Sequence, residues 1–368
     1  MGGDMARNAE KPEQPTSPAA SERTEAPADA KFDIKSHVAK TLIKAMEKGE
    51  TPWQKPWNSQ SLSPTNATSL LGYRGVNRIL LSLACSPGGA TYADNRWVTY
   101  QQAQAKGWQV RGGEKGTMIV KVVEIDPAKE RVHGGAERDP RASRGGGDQS
   151  AGGQAGDQRR KPVTLRRYFV FNAEQVDGMP PIDQASDLAF DPIARAEAVV
   201  EALKEKTNLV IVHGGNQACY VPAHDEVRLP AKKKFKSAYD LFSVTLHECG
   251  HSTMAPHRMN RAEAYAKRWG DEAYALEELT VEISAAILCA ELGISDQVSV
   301  AQREKHFSNH AGYLQSWIKA LSKDPFAIFT AAKAADRISE YVLGFERQAT
   351  AMQEHSEWVA EYDRGTSR

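Results

Sequence analysis

Residues 245–257 of this 368-residue chain read TLHECGHSTMAPH, and the order H-E-x-x-H at 247–251 narrows the fold more than any other feature. On an α-helix each residue turns the chain by about 100°, so positions four apart lie about 40° apart on one face. His247 and His251 can then aim imidazole nitrogens at one metal ion. Glu248 stands beside them, placed to take a proton from a metal-bound water rather than to bind the metal. Leu241, Phe242, Val244 and Leu246 precede the motif, so the helix is a buried one. Cys249 turns about 200° away from His247 and reads as packing. Two partly buried core histidines are the bland alternative.

A catalytic zinc ion takes three protein ligands and leaves a position for water. His257 lies ten positions after His247, the offset of the third histidine in H-E-x-x-H-x-x-G-x-x-H. That pattern turns the chain at a glycine, where this sequence has Met254, with Pro256 just before the histidine. The competing ligand is a glutamate of LEELTVEISAAIL. Glu278 and Glu282 are four apart on one face of a strongly apolar helix, where a carboxylate needs a partner. Glu282 is favoured as the third ligand, because Ser284, Ala285 and Ala286 after it allow close helix packing. Glu278 is then expected behind it, holding an imidazole N–H, and Glu277 as a solvated charge near the helix start. Sites of this type accept Zn2+, Mn2+ or Co2+.

Elsewhere helical and strand patterns mix without a repeat, an α+β composition. Helical spacing runs from Ile34 to Met46, GYRGVNRILLSLAC turns from loop to helix, and WVTYQQAQAKGW reads as a strand then a helix. TMIVKVVEI and LRRYFVFN read as hairpin partners joined by a Gly-rich flexible insertion at 126–162. EQVDGMPPIDQ reads as a linker, followed by a helix at PIARAEAVVEALKE, three short strands, the H-E-x-x-H helix and three or four further helices. Residues 1–30, rich in Pro, Ala, Ser and Glu, are expected to be a disordered tail. The domains are therefore expected at 31–180 and 181–368.

Charge is balanced, 47 Lys and Arg against 47 Asp and Glu, so net charge points to no partner class. Its distribution does. Between Lys31 and Val123 thirteen Lys and Arg face five Asp and Glu, interleaved with Trp53, Trp57, Tyr73, Tyr92, Trp97, Tyr100 and Trp108. Bases stack on such rings while cations follow phosphates, which suits single-stranded nucleic acid. Tryptophans filling a small core under solvated lysines would look the same. No apolar run reaches the roughly 18 residues that span a bilayer, the N-terminus lacks an apolar signal core, and the four cysteines form no C-x-x-C pair. A cytoplasmic protein with reduced thiols and no membrane partner is expected.

PWQKPW, GYRGVNRILL and WVTYQQAQAKGWQVRGGEKGTMIV in the first half, with TLHECGHST, HRMNR and YALEELTVEISAAILCAELGI in the second, resemble the ArdC-type antirestriction proteins of conjugative plasmids, across most of 31–295. The resemblance implies an N-terminal α+β domain that binds single-stranded DNA. Joined to it is a mainly helical zincin-like metallopeptidase domain with a small sheet. It implies protection of incoming DNA from host restriction and an N-terminal domain shared with TraC-type plasmid primases. By position it makes His247 and His251 metal ligands, Glu248 the catalytic glutamate and Glu282 part of the acidic helix that completes the site. It places Trp53, Lys55, Trp57, Tyr73, Arg74, Asn77, Trp97 and Lys115 in the DNA-binding motifs. Ser252 stands where an aromatic commonly follows the motif, and the Gly-rich insertion is also a departure. The alternative function is a zinc peptidase that cleaves a host protein, with DNA binding serving to localise it.

Overall fold

Apolar helix faces from both ends of the sequence meet in the main core of this molecule. The computed structural model describes residues 32–49, 53, 64–85, 92–124, 163–181, 191–261, 271–297 and 311–366. The expected tail and Gly-rich insertion, and the candidate residues Lys55 and Trp57, lie outside the described residues. Helix α1 (Ile34–Glu47) buries Val38, Leu42 and Met46, spaced four apart as its periodicity predicts. Helix α2 (Val76–Ala84) opens at Gly75, whose φ of 58° suits a residue without Cβ. The Gly75 amide donates to the Asp336 carboxylate.

Strands β1 (Thr65–Asn66), β2 (Arg96–Val98), β4 (Thr117–Glu124) and β5 (Val163–Asn172) form one sheet in the order β1-β2-β5-β4. Between β2 and β4 lie α3 (Tyr100–Ala105) and β3 (Gln109–Val110). The helix starts with a reciprocal cap, Thr99 accepting from the Gln102 amide while Gln102 accepts from Thr99. β4 and β5 pair antiparallel from Thr117↔Val170 to Glu124↔Val163. Asn77 of α2 covers the free edge of β4, donating to the Val120 carbonyl at 2.7 Å and accepting from its amide at 2.8 Å. The expected linker begins as structure instead. Val176–Asp177 (β6) pairs with β3, an element too short for any periodicity to announce.

The second half starts at α4 (Pro192–Thr207), capped by Asp191 with proline in its first turn. A three-stranded sheet follows, β7 (Val210–His213), β8 (Cys219–Val221) and β9 (Glu226–Leu229), in the order β7-β9-β8, which leaves β8 at an edge. Then come α5 (Ala238–Ser252), α6 (Asp271–Glu291), α7 (Ala311–Lys323) and α8 (Ala327–Thr366). No helix among the described residues is long and apolar enough to cross a membrane. The mixture is α+β, as its patterns predict.

The largest core belongs to both halves. Val38, Leu42, Met46, Trp53, Ile79 and Leu80 from the first pack with Leu276, Leu279, Ile283, Trp317 and Ile328 from the second. Trp53 meets Trp317 edge-on with ring centroids 5.5 Å apart. Ile34–Arg368 accordingly cluster as one unit.

Candidate metal centre

Helices α5 and α6 can approach closely because Gly250 lies between them. A Cβ there would sit 3.2 Å from the Val281 side chain and 3.3 Å from the Ser284 hydroxyl. That crossing lays the faces of His247 and His251 against the acidic stripe of α6. The Nε2 atoms of His247 and His251 lie 3.5 and 3.4 Å from the two carboxylate oxygens of Glu278. One donor atom from each of these three residues falls within 4.8 Å of the others, a spacing able to enclose a metal ion. Both Nδ1 atoms face away from this point, His247 towards Glu282 at 3.0 Å and His251 towards Glu277 at 3.2 Å. An ionised carboxylate only accepts, so in the metal-free protein each ring donates at both nitrogens, and a ring that binds metal keeps its proton on Nδ1 and gives up the one on Nε2.

This geometry corrects the expected ordering of the three glutamates. Glu278, not Glu282, faces the shared edge of the two rings, and Glu282 lies behind His247. Glu277 is not solvated at all. It is buried, and Arg261 grips both of its oxygens at 2.9 Å while also donating to Thr253 and the Gly250 carbonyl. Its partner Arg261 is 16 residues away, in HRMNR.

Electrostatics follow from crowding acids and imidazoles out of water. Burial disfavours a charged His247, but Glu278 and Glu282 outweigh it and push its pKa up to about 10. His251 is raised by the same balance, against burial, through Glu277 and Glu278. Burial also works against charge on Glu278, yet hydrogen bonds from both histidines hold it far below the carboxylate range. Glu248 goes the other way. Desolvation raises it, opposed by the nearby imidazoles and a hydrogen bond from the Tyr220 backbone amide of β8.

The cluster lines a cavity of about 430 Å³, walled by Glu248, Tyr220, Tyr274, Tyr313, Trp317 and Ala286 among others. Its rim is stapled by a second network that sequence reasoning missed. Arg258, with its side chain fully buried, forks onto Asp225 at 2.6 and 2.8 Å, and the Tyr220 hydroxyl donates to the same carboxylate at 2.9 Å. His257 joins this network and not the metal cluster, its Nε2 3.2 Å from Asp225.

The candidate DNA residues do not come together in one place. Trp53 and Trp97 are 5% and 0% exposed, so neither presents a ring to a base, a correction of the stacking role expected for them. Asn77 is occupied with the backbone of β4, and Tyr73 is half-buried against the Leu81–Trp97–Val170 core. Arg74 is exposed but ion-paired with Glu340. Lys115 remains exposed.

Residues 198–334 match the family model of zincin-like metallopeptidases, and residues 32–171 that of the N-terminal domain of anti-restriction factor ArdC. A crystal structure of the antirestriction protein ArdC from plasmid R388, metal-free, superposes with a TM-score of 0.63 at 30% identity, covering 86% of this chain and 99% of that one. The chain belongs to the ArdC antirestriction family. A Mn(II)-bound structure of the same R388 protein matches with a TM-score of 0.62 at 29% identity. Uncharacterized protein y4eC of Sinorhizobium fredii (strain NBRC 101917 / NGR234) is 36% identical over 315 residues, 84% of this chain and 91% of that one. DNA primase TraC of Escherichia coli is 37% identical over 332 residues, 87% of this chain, and this chain spans 28% of the primase. The ArdC family thus supplies both halves, in the order the motifs implied.

Proposed function

We propose that this ArdC-family protein binds single-stranded DNA and protects incoming DNA of a mobile element from host restriction, and that its second half is a metal-dependent peptide-hydrolysing centre. The observation that carries the second part is the convergence of the two Nε2 atoms and the Glu278 carboxylate beside Glu248. His247, His251 and Glu278 would hold the ion, Zn2+ by the donor set, with Mn2+ or Co2+ also accommodated. When bound, it supplies Lewis acidity that polarises a carbonyl and lowers the pKa of water. Glu248, raised by burial, is suited to accept a proton at its carboxylate and return it to the leaving amine. The Tyr220 amide holds that carboxylate in place. Glu282 and Glu277 fix the tautomer and tilt of the two rings. The edge position of β8 supports an extended polypeptide, aligned by main-chain hydrogen bonds, as the substrate form. A host protein is the substrate class this implies.

Membership of the family carries the DNA-protection part. The two parts separate in one experiment, transfer of plasmid DNA into restriction-proficient and restriction-deficient recipients by cells making wild type or Glu248→Ala. Lost protection, with metal and DNA binding intact in the variant, assigns protection to cleavage. Retained protection assigns it to binding alone. Equal transfer with and without the wild-type protein refutes the protective role.

A further inference from the structure

With Trp53 and Trp97 in the core, a nucleic-acid strand needs other rings, and the β4–β5 hairpin has them. Paired residues of an antiparallel ladder share a face. One face of this hairpin therefore carries, in succession, Thr117 with Val170, Ile119 with Tyr168, and Lys121 with Arg166. Its inner end seals the small core of Leu81, Trp97 and Val170, against which Ile119 packs. Its outer end is open. Tyr168 is 40% exposed, and Lys121 and Arg166 are exposed beside it.

Lys121 and Arg166 stand directly opposite each other, an arrangement that like charges make unfavourable. Neither has a carboxylate partner among the described residues, and the nearest acid on the ladder, Glu124, pairs with Val163 on the other face. Such a pair is stabilised by an anion from outside. A phosphate chain supplies two in succession, and Tyr168, two residues along from Arg166, offers a ring where a base between them would fall. Towards the other end, Tyr92 and exposed Lys115 line a shallow depression of about 470 Å³ with Gly116 and Thr117.

We infer that single-stranded DNA lies along this face of the hairpin, with Tyr168 stacking a base and Lys121 and Arg166 holding phosphates. The inference rests on the single-strand binding proposed above and gives it a location. Buried aromatics in PWQKPW and WVTYQQ then serve the fold, and the binding residues come from TMIVKVVE and LRRYFVF.

The test is a fluorescence-anisotropy titration of labelled oligothymidylate with the full chain at several salt concentrations. Wild type binds, and each neutralised phosphate contact contributes about 0.7 to the salt slope of a single strand. Lys121→Gln with Arg166→Gln therefore lowers the slope by about 1.4. Tyr168→Ala weakens binding at least roughly fivefold, the loss of one stacked base, and Tyr168→Trp restores it. No variant melts below the wild type, since the substituted side chains are exposed and neutralising Lys121 and Arg166 removes a repulsion. Unchanged affinity and slope in both variants, while wild type binds, would place the strand elsewhere and overturn the inference. So would equal competition by an acidic polypeptide, which would make the face a protein-binding one. Wild type failing to bind any single strand would overturn the underlying proposal as well.

Discussion

At the scale of single residues, the metal centre turns on which oxygen faces which nitrogen. Glu278 and Glu282 are equivalent on the helical wheel, one turn apart, but Glu278 faces both Nε2 atoms while Glu282 faces one Nδ1. Glu278→Gln is therefore expected to abolish metal binding measured by titration calorimetry, and Glu282→Gln to weaken it roughly 10–100-fold. Equal losses would erase the distinction. Protons compete with the metal for the same atoms. His247 has its pKa raised to about 10 in the metal-free protein. Its protonation stabilises the metal-free fold fully below the ordinary value near 6.5, and that stabilisation fades as pH rises towards 10. Metal-free protein should thus melt at progressively lower temperature from about pH 6.5 to 10, while metal affinity rises over the same range. A flat melting profile would contradict the paired imidazolium. None of this ordering was legible in LEELTVEISAAIL. Periodicity gives the face of a residue, but the atom that meets a neighbour depends on where the two helices cross. Glu277 shows the same limit, since its burial depends on Arg261, which reaches it only in the folded chain.

At the scale of elements, the crossing of α5 and α6 sets the site, and Gly250 sets the crossing. Gly250→Val would drive two methyl groups into Val281 and Ser284, and overpacking of this kind costs about 1–3 kcal/mol. Urea unfolding should show that loss together with weaker metal binding, and Val281→Ala in the same chain should recover part of both. A fully stable Gly250→Val would mean that the helices tolerate separation. Long elements with strong periods were readable in advance, among them α1, α5, α6 and the β4–β5 pair. The two-residue strands β1, β3 and β6 were not, because pairing across the fold and not local pattern defines them. Trp53 and Trp97 depart from the stacking role for a related reason. A ring that fills a core and a ring that stacks a base contribute identically to composition. Burial separates the two, of Trp53 against Trp317, 264 residues along the chain, and of Trp97 against Leu81 and Val170.

At the scale of the whole molecule, two family domains share one core. Val38, Leu42, Met46, Trp53, Ile79 and Leu80 bury their side chains partly against the second half. Full burial of such side chains is worth about 1.5–3 kcal/mol each, so losing even half of it over six residues rivals the roughly 5–15 kcal/mol that holds a domain folded. Residues 31–180 alone should then lack a cooperative unfolding transition by circular dichroism, and a well-folded fragment would show the halves to be independent. The most direct test of the account joins the core to the metal centre in one measurement, differential scanning calorimetry of the full chain with and without Zn2+. A ligand at about 100 times its dissociation constant adds about 2.7 kcal/mol to the folded state. A single transition should move up by several degrees with metal in wild type and stay in place in Glu278→Gln. Two separate transitions, or an equal shift in Glu278→Gln, would contradict it.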